Sequence, residues 1–444
     1  VSDSAAVPTA GTVGWPSRGV AWYGVAVLML AAILSLVDRQ VLNLLVDPIR
    51  ASLSLTDVQI GVLQGPAFMV CYTLLGFPAG LLVDRVHRLR LVAAGIAIWS
   101  AATIACGLAT SYEGMLLARA LVGTGEAVLA PATISLIADY FAPLDRPVAM
   151  SVNGTAANAG IGLSLLAGGL LMDATRGMTP IAFAGLPPIE GWRLVFIVCG
   201  APGLFVALLL LAGREPPRQQ ERARGDPAAR FVPFLAVARR WILPHFAAIS
   251  LIAVLSYGFM SWVPAYVIRR YDWSVGDAGR VLGLLFVTLG PAGALAGGFL
   301  TRRRQRRGQS DAPLRVVRLL MLAMAAAVAS LAFEWTGRTV LAPLAVAVFA
   351  LSALPIVSAT ALQQVTPGEV RGRMAAVYYI STNLIGASLG PLVTAALVQW
   401  VLKDSKQVGL SLAVLALATA PLAWLLLSIA LRPYRNLAAA VQRL

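Results

Sequence analysis

Twelve apolar stretches, at 22–44, 58–82, 90–110, 114–138, 148–171, 192–212, 241–267, 276–300, 316–334, 339–363, 373–400 and 408–431, leave this chain few folds to choose from. Each is near or above the roughly 20 residues that a helix needs to cross the hydrocarbon core of a bilayer. In lipid every backbone N–H and C=O must find its partner inside the protein, and for spans of this length that means helices. Composition agrees. Hydrophobic residues make up 59% of the chain and charged residues 12%, where a soluble domain carries about 25% charged. The expectation is an all-α integral membrane protein with twelve transmembrane helices.

The basic residues fall on alternate loops. One set of loops and ends, which includes Arg18, Arg85, Arg214, Arg240, Arg302 and Arg432, holds 24 of them; the other holds 9, and Arg39 and Arg119 lie inside spans. By the positive-inside rule the crowded side is cytoplasmic, so both termini are expected in the cytoplasm. The net charge of +15 is thereby accounted for as topology, and no nucleic-acid partner is expected. The basic run Arg302–Arg307 is expected to touch anionic lipid headgroups. The first twenty residues contain no apolar core of signal-peptide length, so the first span reads as an uncleaved helix. An Arg-rich, Lys-poor chain of this kind suits a bacterial inner (plasma) membrane.

The domain plan follows from where polarity returns. Residues 1–19 read as a cytoplasmic tail, 20–213 as a six-helix bundle, 214–240 as a polar cytoplasmic linker, 241–432 as a second six-helix bundle and 433–444 as a tail. Cys71, Cys106 and Cys199 all lie in apolar spans, and neither their number nor their spacing makes a metal site or a disulfide framework. An acyl or phosphoryl transferase would need a nucleophile or metal cluster near one interface. The two histidines, His87 and His245, stand near loops with no Cys or carboxylate ligand set beside them. No phosphate-binding loop of the Gly-x-x-x-x-Gly-Lys type occurs. The chain is therefore not expected to be an enzyme, nor to hold a metal or cofactor. A receptor would leave its buried titratable groups without a use.

Those groups are few. The fourth span contains Arg119-Ala-Leu-Val-Gly-Thr-Gly-Glu126, and the first contains Asp38-Arg39. A charge at the centre of a membrane helix costs about 2.5–3.5 kcal/mol on insertion scales, so such residues mark function by default. Seven residues are two helical turns, which puts Arg119 and Glu126 on one face about 10 Å apart. The first and fourth spans run in opposite directions and carry their charges at similar depth. Asp38 is therefore expected to pair with Arg119 in at least one state of the protein, with Glu126 facing the same cavity. A carboxylate takes up or releases a proton according to its burial and the arginine it faces, so Asp38, Glu126, Arg39 and Arg119 form a candidate proton-coupling network. Arg119 is also a candidate holder of a substrate phosphate or carboxylate. Asn158 and, from the second half, Trp262, Tyr266, Tyr378, Tyr379 and Asn383 are candidate cavity walls. A cavity charged on one side and apolar on the other suits an amphipathic anion.

Adding 224 to first-half positions reveals a repeat: Pro131 meets Pro355, Pro143 meets Pro367, Met150 meets Met374, Gly162 meets Gly386 and Ser164 meets Ser388. The buried charges do not repeat, since Asp38 maps to Trp262 and Glu126 to Ala350. A six-helix unit is duplicated, while the ion network belongs to the first half.

Two motifs then identify the plan. Gly80-x-x-x-Asp84-Arg85-x-x-Arg88, between the second and third spans, and Arg119-x-x-x-Gly123-x-Gly125 resemble signatures of the major facilitator superfamily. Within it, Asp38-Arg39, Glu126-Ala-x-x-x-Pro131, Asp139-Tyr-Phe and Pro367-Gly-Glu369-Val-Arg371-Gly-Arg373 resemble the spinster-type lipid transporters. Two positions depart from the pattern: His87 stands where a glycine is usual, and Arg302 where an aspartate is expected. The resemblance implies proton-driven alternating access without any cofactor. For animal spinsters it implies transport of sphingosine-1-phosphate or lysophospholipids, and so a lipid or amphipathic substrate here, moved by a monomer among membrane lipids. A proton-coupled symporter of a small organic anion is the alternative, because such proteins carry similar Asp-Arg and Arg…Glu patterns. Asp84, Arg85, Arg88, Arg146 and Arg371 are the expected cytoplasmic gate. Asp84 is expected to bridge Arg146 and the positive end of the eleventh helix when that face is closed.

Overall fold

The structure is a computed structural model that describes residues 15–181, 188–218 and 228–441. Twelve helices are long and apolar enough to cross a membrane: α1 Arg18–Leu44, α2 Asp57–Val83, α3 Arg88–Leu108, α4 Tyr112–Tyr140, α5 Arg146–Ala174, α6 Gly191–Ala212, α7 Ala238–Tyr271, α8 Val275–Arg306, α9 Ala312–Ala332, α10 Leu341–Val365, α11 Arg373–Leu402 and α12 Val408–Ala439. With an even number of spans the described ends share one face, here the termini face; the other is the far face. Three helices that start at the far face are capped by a side chain: Thr56 with Gln59 ahead of α2, Ser111 ahead of α4 and Ser274 ahead of α8. These caps satisfy N–H groups that would otherwise be orphaned at the membrane edge.

The duplication read from the sequence is visible in the packing. In the first half α1 lies on α5 and α6, α3 on α4 and α6, and α2 on α4. Six helices on, α7 lies on α11 and α12, α9 on α10 and α12, and α8 on α10. The halves meet through the equivalent pairs α5–α8 and α2–α11. Both contacts bring backbone against backbone. A Cβ on Gly279 would fall 2.5 Å from the Leu165 carbonyl oxygen, and one on Gly65 would fall 2.6 Å from that of Ala387. Only glycine permits such approach, the membrane counterpart of small-residue helix interfaces.

These contacts occupy the far-face portion of each helix pair. Toward the termini face, positions Gly76 and Gly80 of α2, Gly154 of α5 and Gly298 of α8 have open space where a Cβ would lie. The side chains of Phe77, Val148 and Tyr379 are exposed there too. The halves are thus joined at the far face and parted toward the termini face.

Two stretches outside the apolar spans are helical. The helix containing α7 already begins at Ala228 and runs unbroken to Tyr271, so the linker portion 228–240 is helical. The helix containing α12 continues through Pro433 to Val441, within the stretch expected as a tail. The expected tail at 1–14 and the linker portion 219–227 lie outside the described residues.

Candidate functional site

Asp38, Arg39, Arg119 and Glu126 do converge, all at the α1–α4 contact, and in this form the ion pair is not the one between Asp38 and Arg119 expected of at least one state. The ion pair joins Arg39 to Glu126, with Nη2 at 2.5 Å and Nε at 2.6 Å from Oε2. Ser35, one helical turn before Arg39, donates its hydroxyl to the same oxygen at 2.6 Å. The Arg39 guanidinium lies over two rings of α2 that stack 5.5 Å apart, 4.5 Å from the Phe68 centroid and 4.7 Å from that of Tyr72. Each such cation–π contact contributes about 0.5–2 kcal/mol, more as water is excluded.

Arg119, 2% exposed, meets the Asp38 backbone rather than its carboxylate. It donates Nη1 to the Asp38 carbonyl at 3.2 Å and Nε to the Leu63 carbonyl at 3.3 Å. The second acceptor exists because α2 is two helices, Asp57–Gln64 and Pro66–Val83, interrupted at Gly65. The interruption leaves the carbonyls before it short of helical partners. Gly123 of the α4 motif lets α4 settle against the Phe68 carbonyl at that same break. α4 is interrupted as well, between Glu126 and Leu129. Both helices therefore break beside the ion pair.

Asp38 and Glu126 are each 1% exposed. Each keeps one carboxylate oxygen, Oδ1 and Oε1, without a hydrogen-bond partner. Two buried acids, each with an oxygen free to take a proton, beside two arginines that can exchange partners, is an arrangement able to couple protonation to movement.

The second-half residues divide. The Asn383 side chain accepts from the Tyr257 hydroxyl at 2.9 Å, and Tyr257 is close enough to Arg39 and Tyr72 to interact with them electrostatically. That pair faces the network across the halves. Trp262 instead donates its indole N–H to the Pro391 carbonyl. Tyr266 is bonded to the Tyr271 hydroxyl and the Leu331 carbonyl. Both are buried in the closed far-face portion, and so do not line an open cavity in this form. Tyr378 is buried against Phe246, while Tyr379 is exposed. The side chain of Asn158 lies outside the described residues.

At the termini face Asp84 occupies the C-cap of α2 and Arg85 is exposed. Arg88 is fully buried and ties α3 to Asp139 and Ser135 of α4, to Glu215 at 2.9 Å and to the Pro216 carbonyl. Arg88 therefore acts within its own half and clamps the start of the linker. His87 caps α3, its Nδ1 accepting from the Arg90 N–H, which gives the departure from glycine a structural use. Arg146 folds back onto the Phe141 carbonyl and Arg371 onto that of Thr366. With the halves parted on this face, each stays within its own half.

Sequence reading missed the far-face ion pairs. Arg269, at the end of α7, holds Asp47 at 2.8 Å and both oxygens of Asp57, at 2.8 and 3.2 Å. Arg280 of α8 pairs with Asp173 of α5. Both link the halves. In the sequence these residues look like ordinary loop charges; burial sets Arg269 and Asp57 apart, whereas Arg280 and Asp173 are partly exposed and are marked only by their pairing across the halves. Among the described residues no group of three or more His, Cys, Asp or Glu is placed to hold a metal ion.

Residues 28–391 match the profile of the Major Facilitator Superfamily. The chain belongs to that superfamily. It is 29% identical over 410 residues to an MFS-type efflux pump of Mycolicibacterium smegmatis, a match covering 90% of each chain. To human protein spinster homolog 1 it is 30% identical over 257 residues, 55% of this chain and 45% of that one. Among solved structures, a bacterial homolog of the human lysosomal transporter spinster, in an inward-facing and unoccupied conformation, superposes with a TM-score of 0.76 at 24% identity, covering 96% of this chain and 99% of that one. This superfamily member is thus a transporter related to the spinsters.

Proposed function

We propose that the protein is a proton-coupled transporter that moves an amphipathic anion, such as a lysophospholipid or a sphingoid phosphate, by alternating access. It works as a monomer in a bacterial inner membrane, with both termini in the cytoplasm and no cofactor beyond the proton. The observation that carries this reading is the buried Arg39–Glu126 pair, with Asp38 beside it and one uncommitted oxygen on each acid. A proton on Glu126 cancels its charge and releases Arg39 toward the cavity. There Arg39 faces Tyr257 and Asn383, where a phosphate or carboxylate can replace the lost carboxylate while an acyl chain lies along the apolar second half. Proton and anion are then alternative partners of one guanidinium, and coupling follows because each state of the pair favours a different packing of the halves.

The test is accumulation in proteoliposomes under an imposed pH gradient, with a panel of lysophospholipids, sphingoid phosphates and small organic anions. Uphill accumulation of a lysolipid by the wild type, abolished in Glu126→Gln, is expected. Accumulation of small organic anions alone would assign the chain to organic-anion symport. Accumulation indifferent to the pH gradient would overturn the proton-coupled reading.

A further inference from the structure

Arg318 lies in α9, six residues and so about 9 Å inside the span from the termini face. Among the described residues it donates no hydrogen bond and meets no carboxylate, and its Nε is buried without a partner. Its guanidinium carbon lies over the ring of Trp424 of α12, 3.5 Å from the centroid. Trp424 is 37% exposed on the outside of the bundle, among the exposed side chains of Leu319, Leu322, Leu422 and Leu425. An arginine at this depth on a lipid-facing surface needs an anion or a route to water, and the second-half ion network supplies it with neither.

The helix geometry explains what surrounds it. Positions 311, 315, 318 and 322 form one stripe of the α9 helix and its cap, and 424, 428 and 435 one stripe of α12, by the i, i+4, i+7, i+11 rule. The two stripes face each other in antiparallel order, Asp311 meeting Arg435 at one end and Arg318 meeting Trp424 further in. Arg315 sits one turn nearer the termini face, within electrostatic reach of Arg318. It binds Asp311 at 2.8 Å and Arg435 binds the same carboxylate at 2.6 Å. Two guanidinium groups thus share one carboxylate and the third, Arg318, has none, an excess of two positive charges along a surface that faces lipid.

We propose that this α9–α12 groove binds the headgroup phosphate of an anionic glycerophospholipid from the termini-face leaflet. The guanidinium edges of Arg318 and Arg315 receive the phosphate oxygens in the charge-assisted, paired geometry that suits arginine. Trp424 holds Arg318 over its ring and marks the level where the headgroup gives way to acyl chains, as tryptophans do at membrane interfaces. The exposed leucines take the first carbons of those chains. A zwitterionic headgroup fits less well, since its ammonium would enter the same excess of positive charge. The proposal concerns a site on the outside of the second half and does not depend on what the central cavity transports.

Native mass spectrometry of the full-length protein, with dioleoyl phosphatidylglycerol or dioleoyl phosphatidylcholine added in detergent, tests it. The wild type is expected to retain phosphatidylglycerol at least several-fold more than phosphatidylcholine. Arg318→Gln and Trp424→Leu are expected to lose most of that preference, while Arg304→Gln, in the basic loop after α8, keeps it. Should Arg318→Gln fail to fold, the exposed Arg315→Gln provides the same readout. Equal retention of both lipids, or unchanged preference in the two groove variants, overturns the proposal. Displacement of the lipid by inorganic phosphate at equal concentration overturns the lipid as occupant and assigns the groove to a free anion.

Discussion

A carboxylate and a guanidinium at bilayer depth remain there as an ion pair, or as a neutral acid beside a cation that finds another anion. Arg39 and Glu126 are held in the first arrangement, and Ser35, Phe68 and Tyr72 define what the second would cost. In Glu126→Gln the side chain keeps its shape and can still accept from Arg39, so the protein is expected to fold. The proton-dependent choice is gone. Distances between spin labels at the termini-face ends of the two halves should shift with pH in the wild type and stay fixed in the variant. A variant that follows pH like the wild type would move the titrating group elsewhere, with Asp38 the next candidate. Outside the spans, Asp311 offers a stability test. Burial pushes its carboxyl up, but the hydrogen bonds from Arg315 and Arg435 outweigh that and hold it below the usual carboxylate range. A depressed folded-state value means a contribution fully present above about pH 4, where the unfolded chain ionises, and lost as pH falls through the folded value. Asp311→Asn should therefore lower the thermal midpoint in detergent at neutral pH, and the difference should shrink below about pH 4. The sequence revealed the four charged residues because charge inside an apolar span is conspicuous. It hid their partners for the opposite reason. Phe68 and Tyr72 are ordinary residues of an apolar span, and the rotation that aims Arg119 at a carbonyl rather than a carboxylate depends on a helix break.

At the scale of the helix, the twelve spans were legible to within a few residues, and their interruptions were not. Gly65-Pro66 is a visible breaker, yet membrane helices tolerate such pairs when neighbours satisfy the freed backbone. Here Arg119 does so at Leu63, a contact no local pattern announces. α11 carries widened turns at Ser381–Ala387 and Leu397–Leu402, and the first passes against Gly65. Wide turns of this type recur at functional sites. The two glycine contacts between the halves make a direct prediction. In Gly279→Val the new side chain must displace the Leu165 carbonyl or move α8, and overpacking of this kind costs about 1–3 kcal/mol. The cost falls only on the form closed at the far face, so that form should lose roughly 5- to 150-fold in relative population, at 1.4 kcal/mol per tenfold. Cysteine labelling from the far side, at a position in the α5–α8 seam, should rise accordingly. Unchanged labelling would mean that the helices slide to absorb the methyl groups.

For the whole molecule, the duplicated halves raise the question of what holds one face shut while the other is open. Sequence reading placed the answer at the termini face, with an aspartate, Asp84, meeting the positive end of α11. The described form shows the same device at the far face. Asp173, at the end of α5, lies against the first turn of α8, so that a Cβ on Gly276 would fall 2.0–2.2 Å from its carboxyl group. Arg280 of α8 completes the pair, and Arg269 with Asp47 and Asp57 forms a second latch beside it. Arg269 and Asp57 are nearly buried, so removing the arginine leaves Asp57 only the longer contact to the partly exposed Arg50, at 3.6 Å, in the closed form, whereas in the opened one water reaches it. The cost therefore lies toward the low end of the range for a broken buried pair. Breaking a buried pair this way costs about 3–5 kcal/mol. Even the lower figure moves a balanced equilibrium by roughly a hundredfold at 1.4 kcal/mol per tenfold. Arg269→Gln should therefore favour the form open at the far face, and Arg269→Lys, which keeps the charge but loses the fork that spans two acids, should lie between. Asp173→Asn should act in the same direction by a smaller amount, because Arg280 is exposed enough for water to replace its partner. Spin-label distances across both faces would report it, the far-face pair lengthening as the termini-face pair shortens. If both pairs kept their wild-type distances in Arg269→Gln, the far face would be sealed by glycine packing alone and the arginine would be no latch.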